Sequence, residues 1–389
     1  MTPADLSRTV LHAVRRAVDE DALRAPVPAR VRVERTRPGG SGDYACAVAL
    51  QLAGPAALPA LEVARILRER VAAEPGVGRV EITGPGFLSF TLDAPAVSDR
   101  AVLDAVRQQG LAYGHGDALR DETHQFHHAR EVRAAVTAHA VRRLLVAQGA
   151  RVRVSCAEPS DPDWARLGVT VDAHGTPPVP LTEVRPVPAG ATAEELLERL
   201  GPDAARWGLL RAAGHDRAVL GRELLVQGEA NPLFRVRYAH ARARALTRGA
   251  ARLGFTAEPA EPAEPAVRGA SPAPYDEGHA TPAPYGQSPT EPAATTAYGA
   301  AARPLLDLIA DHPGVLLAGA RHRAPDRVAR QLEAVAHAFF DFHDSCPPLP
   351  AGDEKPSAAH RARLALAEAA GTVLAGGLSL LGIRAPEHL

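Results

Sequence analysis

The densest chemistry in this chain is cationic. Arg235, Arg237, Arg242, Arg244, Arg248 and Arg252 fall between Leu233 and Leu253 with no acidic residue among them. At about 100° per residue of α-helix, Arg237, Arg244, Arg248 and Arg252 share a face roughly 80° wide, and Leu246 and Leu253 lie opposite. Such a helix buries one side and presents a basic ridge, with Tyr238 and His240 beside it. Guanidinium groups take phosphates and rings take unstacked bases, so the pattern is suited to RNA.

Three histidines form the next cluster. His124, His127 and His128, with His139 further on, have the ring type for zinc, but no Cys, Asp or Glu pattern completes a tetrahedral set. No metal is expected. Cys46, Cys156 and Cys346 are far apart, odd in number and without CxxC spacing, which fits a reduced compartment. Cys156, beside Ala157 and Glu158, has no histidine in a nucleophile motif. Phe339-Phe340-Asp341-Phe342-His343 reads as packing in a helical bundle rather than as a base-stacking site.

Composition narrows the classes. The 389 residues suit two or three domains, and 46% hydrophobic with 23% charged residues suits a globular core. With 35 Pro and 33 Gly, the chain as a whole is neither collagen-like nor disordered. Aromatics are only 4%, so Leu, Val and Ala must build the core. A net charge of -1 gives no field-driven attraction to nucleic acid or membrane from the total. The basic residues are almost all arginine, and Lys355 is the only lysine. Met1–Val10 lacks an apolar signal core, and no run of about 18 uncharged apolar residues occurs. The expectation is a soluble cytoplasmic protein with no membrane partner.

Three regions must position these residues. The first, 1–117, reads as α+β. Leu6, Val10, Val14 and Ala17 recur at helical spacing, and Val31 and Val33 mark a strand. Leu50, Leu52, Leu61, Val63 and Leu67 mark two helices, and 80–92 alternates about Gly84-Pro85-Gly86 as a hairpin. The second, 118–190, has a helix over 129–148 leading into Arg151-Val152-Arg153-Val154, an αβ pair of the doubly wound kind. Irregular strands and loops follow over 161–188. The third, 191–389, is helical, opening at Thr192 as N-cap with Glu194 and Glu195 in the first turn. Helices are expected near 193–200, 202–213, 216–228, 230–253, 305–317, 325–345 and 357–382. Within it, 257–300 has Val267 as its only residue among Leu, Ile, Val and Phe, and repeats Pro-Ala-Pro-Tyr at Pro272 and Pro282. That is the composition of a disordered insertion.

Several phrases together resemble arginyl-tRNA synthetase, a class I aminoacyl-tRNA synthetase. Asn231-Pro232-Leu233-Phe234-Arg235-Val236-Arg237-Tyr238-Ala239-His240-Ala241-Arg242 is similar to the phrase that opens that family's helical, DALR-type anticodon-binding domain. Gly201-Pro202-Asp203-Ala204-Ala205-Arg206 is similar to the phrase just before it. Gly42-Asp43-Tyr44, Gly84-Pro85-Gly86-Phe87-Leu88-Ser89-Phe90 and Tyr113-Gly114 resemble the N-terminal tRNA-elbow domain. Leu380-Leu381-Gly382-Ile383 and Ala385-Pro386-Glu387 resemble the family's C-terminus. The resemblance implies an α+β N-terminal domain, a reduced Rossmann-like α/β remnant and an all-α C-terminal anticodon-binding bundle. It also implies a tRNA partner, above all an arginine tRNA.

The middle departs from the family. Only 118–190 stands where the family has its much longer catalytic domain. Gln125-Phe126-His127-His128-Ala129-Arg130 resembles a worn HIGH motif, in which Gln125 replaces the first His and His127 replaces the Gly that lets a nucleotide approach the backbone. His128 still matches. Where the family clamps ATP phosphates with a KMSKS-type lysine loop, Pro177-Pro178-Val179-Pro180-Leu181-Thr182 carries no cation. Arg237 stands where the family usually has Gln, and His343 where it usually has Tyr. The leading expectation is a synthetase-like tRNA-binding protein without aminoacylation, hence with no cofactor. A reduced but working arginine–tRNA ligase, which would use ATP, is the first alternative. A subunit that binds a protein partner is the second.

Overall fold

The computed structural model of the chain describes residues 3–36, 44–74, 77–92, 99–177, 179, 181–260 and 297–389. Two hydrophobic cores organise them. The first is formed by α1 (Pro3–Asp19), α2 (Val48–Ala56) and α3 (Ala60–Ala72) with β1 (Val33–Arg35), β2 (Tyr44–Cys46), β3 (Val77–Thr83) and β4 (Phe87–Leu92). The strands make an antiparallel sheet in the order β1-β2-β4-β3, and β3 and β4 pair from Thr83 and Phe87 outward as the expected hairpin. Leu6, Val10 and Val14 of α1 are fully buried in this core with Leu67, Leu88 and Phe90. Of the Gly42-Asp43-Tyr44 phrase, Gly42 and Asp43 lie outside the described residues, and Tyr44 is buried in β2.

The second core runs from Val102 to Ile383. It begins with α4 (Asp99–Gln109), earlier than the sequence suggests. Although α4 and Tyr113 read as part of the N-terminal region, both pack into this core. The Tyr113 hydroxyl donates to the Ile309 carbonyl at 3.2 Å and its ring stacks on His312. A small α/β layer follows: β5 (Thr123–His128), α5 (Val132–Ala147), β6 (Arg151–Cys156), the single turn α6 (Asp163–Arg166), β7 (Ala173–His174) and β8 (Thr182–Glu183). All its strand pairs are parallel, in the order β7-β6-β5-β8. The rest is helical: α7 (Ala193–Arg211), α8 (Pro232–Arg252), α9 (Ala302–Arg321), α10 (Pro325–Ser345) and α11 (Ala358–Leu380). The chain thus has a mixed α/β N-terminal part, a reduced parallel α/β layer and a helical C-terminal part. Among the described residues, no single helix is long and apolar enough to cross a membrane.

Local chemistry sets most helix ends. Thr192 and Glu195 form a reciprocal capping box at the start of α7. Gly201, at φ 70°, and Pro202 kink α7 between the two expected helices. The helix expected over 216–228 is not formed; only a 3-10 turn, Arg222–Leu225, is found there. Before it, α7 ends at Arg211, where the fully buried Arg133 donates to the carbonyls of Leu209, Ala212, Ala213 and Asp216 and also to that of Val187, satisfying acceptors at the helix end. Arg206 plays a similar part in the core, donating to the carbonyls of Leu167 and Leu381.

Most of the expected insertion, 261–296, lies outside the described residues, but both its ends are packed. Ala257 and Tyr298 are buried, and the Ala260 N–H donates to the Tyr298 hydroxyl at 2.9 Å. Residues 257–260 and 297–300 therefore belong to the bundle rather than to an insertion. Tyr298→Phe orphans that N–H and will lower the unfolding free energy by about 1 kcal/mol. The check is a shift in denaturant midpoint at unchanged m-value.

Two buried imidazoles make stability depend on pH. Burial pulls His312 down to about 4, against a hydrogen bond its Nδ1–H donates to Gln331 at 2.7 Å. Burial, then Arg206, Arg143 and Arg142, pull His139 down to about 4. Both rings are neutral in the fold and charge more readily in the unfolded chain, so stability is lost as the pH falls from about 6.5 toward 4. From pH 7 to 5.5 the loss will be about 1 kcal/mol per ring. Denaturant melts of the parent and His312→Gln across that window will show a shallower slope in the variant.

Candidate nucleic-acid interface

α8 is started by Asn231, whose side chain accepts from the N–H groups of Leu233 and Phe234 and donates to the carbonyls of Leu224 and Val226. Pro232 at the first helical position fits this start. The helix buries Leu233, Val236, Ala239, Ala243, Leu246 and Ala250. Its approach to α11 is close: a Cβ at Gly371 would sit 2.8 Å from the Ala243 Cβ.

That close approach removes His240 from the RNA surface. The ring is 5% exposed, and its Nδ1–H donates to the Gly371 carbonyl at 3.0 Å. Burial first, with Arg244 adding to it, lowers its pKa, so the buried ring is neutral. His240 links two helices and cannot reach a base while the bundle is packed.

The basic ridge forms, but it is covered. Arg237 pairs with buried Asp203 and donates to the Arg384 carbonyl at 3.1 Å, while Arg384 donates to the same carboxylate. Arg244 pairs with Glu387 at 3.1 Å, and Arg248 reaches the same carboxylate at 3.7 Å. Arg252 is exposed beyond them. Leu253, expected on the buried side, is 52% exposed because the helix ends at Arg252 and the chain leaves its phase. Two carboxylates, Asp203 of α7 and Glu387 of the C-terminal segment, thus contact three of the four arginines and offset part of their charge.

The open chemistry lies on the neighbouring face, toward α10. Tyr238 is 43% exposed and stacks between Phe234, at 5.6 Å, and Phe340, at 5.5 Å. Arg235 donates to His337 Nδ1 at 2.7 Å, and Arg242 to His343 Nε2 at 3.3 Å. The His343 Nδ1–H then faces Asp344 at 3.0 Å. Both faces of Tyr238 are met by neighbouring rings, so it offers a base its exposed edge and hydroxyl, and the two guanidinium groups beside the file suit phosphates. The reading of Phe340 as packing holds: it is partly buried against the core, less deeply than the fully buried Phe339 and Phe342, and its ring also meets Tyr238. The sequence carries the rest of this grouping: Arg235, Tyr238 and Arg242 lie within about 60° of one another on a helix.

The worn HIGH motif runs along β5. Gln125 is exposed, and His127 donates from Nδ1 to Ser155 Oγ at 2.9 Å. His128 is 1% exposed against Trp164, with its Nδ1–H on the Ala129 carbonyl and its Nε2 buried without a partner. Burial lowers its pKa. Glu131 is the N-cap of α5: its carboxylate accepts from the N–H of Ala134 at 2.7 Å and of Ala189 at 2.9 Å. A helix N-terminus is a ready anion site, and here the chain's own carboxylate fills it. The segment that replaces the lysine loop ends in β8, which pairs along β5 at Phe126 and His127. These residues do not fit an ATP triphosphate. Among the described residues, no group of His, Cys, Asp and Glu is placed to hold a metal ion.

Comparison with known proteins identifies the scaffold. The family described as "Arginyl tRNA synthetase N terminal domain" matches residues 5–92, and "DALR anticodon binding domain" matches residues 285–389. The arginine–tRNA ligase of Frankia alni is 26% identical over 584 aligned positions covering the whole of both chains. Since this chain has 389 residues, at least 195 of those positions are empty on its side. The arginyl-tRNA synthetase of Thermus thermophilus shares the fold with a TM-score of 0.66 at 14% identity, each chain covered completely. That of Plasmodium falciparum gives 0.63 at 8% identity, over 100% of this chain and 99% of its own. With the N-terminal sheet, the reduced parallel layer and the helical bundle all in place, the chain belongs to the arginyl-tRNA synthetase family.

Proposed function

We propose that this chain binds tRNA, foremost an arginine tRNA, on the α8–α10 face and does not charge it. The observation that carries the binding half is the exposed Tyr238, stacked with Phe234 and Phe340 and flanked by Arg235 and Arg242. The absence of catalysis is supported by Glu131 at the start of α5, His127 in the place of glycine, and a cation-free segment at 177–182. At the HIGH-like segment and the start of α5, the family's usual cofactor, ATP, has no phosphate cradle in this reading. A titration of the full chain with an arginine tRNA across a salt series tests it. Saturable binding that weakens with salt supports the reading. Failure to bind any tRNA would move the protein-partner alternative to first place.

A further inference from the structure

We propose a second phosphate-binding site, in the cavity between α5, the end of α7 and the α9–α10 turn, that takes either the phosphate chain of a free nucleotide or the backbone of an RNA strand. The cavity holds about 720 Å3, the size of a small-ligand site. Its walls are apolar at Leu209, Leu210 and Val315. The polar lining includes four arginines, Arg133, Arg323, Arg327 and Arg330, with His215 and His322 beside them. The lining has one carboxylate, Asp326, and Arg330 occupies it.

Each cation adds a separate observation. Arg133 is buried with all five of its N–H donors held by backbone carbonyls, so it forms the rigid wall of the cavity and leaves the exposed arginines to meet a phosphate. Arg323 sits at φ 53°, a conformation a non-glycine residue rarely adopts, with its guanidinium 5.2 Å from the Phe126 ring centre. That conformation closes α9: the Arg323 N–H donates to the Ala320 carbonyl and the Ala324 N–H to the Gly319 carbonyl, as in a Schellman cap, which fixes the backbone that carries Arg323 and Arg327. Arg327 is exposed, and no carboxylate among the described residues is within ion-pair distance of it. The N-terminal part adds Arg30, which reaches His322 at 3.3 Å. Burial, then Arg327, Arg30, Arg32 and Arg321, lower the His322 pKa, so the local field is positive even with that ring uncharged. The site draws on all three regions of the chain, unlike the α8–α10 face, and shares no residue with it.

The test is calorimetric titration of the full chain with sodium tripolyphosphate, alongside a tRNA titration. Tripolyphosphate should saturate, and Arg323→Ala with Arg327→Ala should weaken it about 100-fold, two charge-assisted contacts at roughly tenfold each. Arg65→Ala with Arg68→Ala, two exposed arginines of α3, should leave it unchanged. If tripolyphosphate does not saturate but the Arg323/Arg327 pair lowers tRNA affinity, the phosphates are those of the RNA backbone. Loss of neither, or tripolyphosphate binding untouched by the pair, overturns the proposal. Should the alanine pair unfold, Arg323→Gly with Arg327→Gln repeats the test, since glycine accepts the backbone conformation. The tripolyphosphate arm does not depend on tRNA binding at α8, so the two readings fail separately.

Discussion

Incubated with arginine, ATP and labelled pyrophosphate, this chain will exchange label no faster than buffer. Activation needs the triphosphate cradled against backbone N–H groups and its developing charge met by fixed cations. The N–H groups at the start of α5 are taken by Glu131, a carboxylate that repels phosphate instead of binding it. His127 puts a ring, tied to Ser155, where close backbone approach needs glycine. The lysine loop is replaced by a chain that ends as β8 against β5. Loss of one preorganised donor typically lowers a rate by about 10²–10³, and several together should leave no measurable turnover. Because the losses are independent, His127→Gly with Glu131→Ser should not restore exchange either. Arginine-dependent exchange above the blank would establish the reduced ligase instead.

Local signals are legible where one stretch of chain decides the outcome. The Thr192 and Asn231 caps, the Gly201-Pro202 kink and the αβ pair of α5 and β6 all follow from neighbours in sequence. What escapes depends on partners far away in the chain. Arg133 caps the end of α7 by collecting carbonyls 54 to 83 residues distant, an arrangement no periodicity encodes. A helical wheel of α8 finds the ridge but not Glu387, 143 residues from Arg244, which covers it. His240 lies among alanines that read as a thin polar edge, and only the approach of Gly371 reveals the ring as buried. The contact of Phe340 with Tyr238 is hidden by its neighbours: Phe339 and Phe342 are core residues, and the two helices must be packed before the Phe340 ring falls beside Tyr238. Charge type is readable from the sequence, but charge availability is not.

Availability is what the tRNA experiment measures. Arg235→Ala with Arg242→Ala will weaken tRNA binding and flatten the salt slope by one to two units, about 0.7–0.9 for each phosphate no longer neutralised. Tyr238→Ala will weaken binding by about fivefold, the loss of one hydrogen-bonding edge, while leaving the slope unchanged because no charge is removed. Arg244→Ala with Arg248→Ala should change affinity less than the Arg235/Arg242 pair, since Glu387 contacts both guanidinium groups and offsets part of their charge. Glu387→Ala supplies the opposite sign: with the carboxylate gone, the ridge joins the surface, and both affinity and slope should rise. Thermal melts check that each variant is folded, and Tyr238, Arg235 and Arg242 are suitable because their removal opens no cavity in the core. If the Arg244/Arg248 pair weakens binding as much as the Arg235/Arg242 pair, the C-terminal segment yields to RNA and the covered ridge is part of the interface. If none of the four changes affinity, tRNA is held elsewhere, and the α8–α10 face has to be explained by a protein partner.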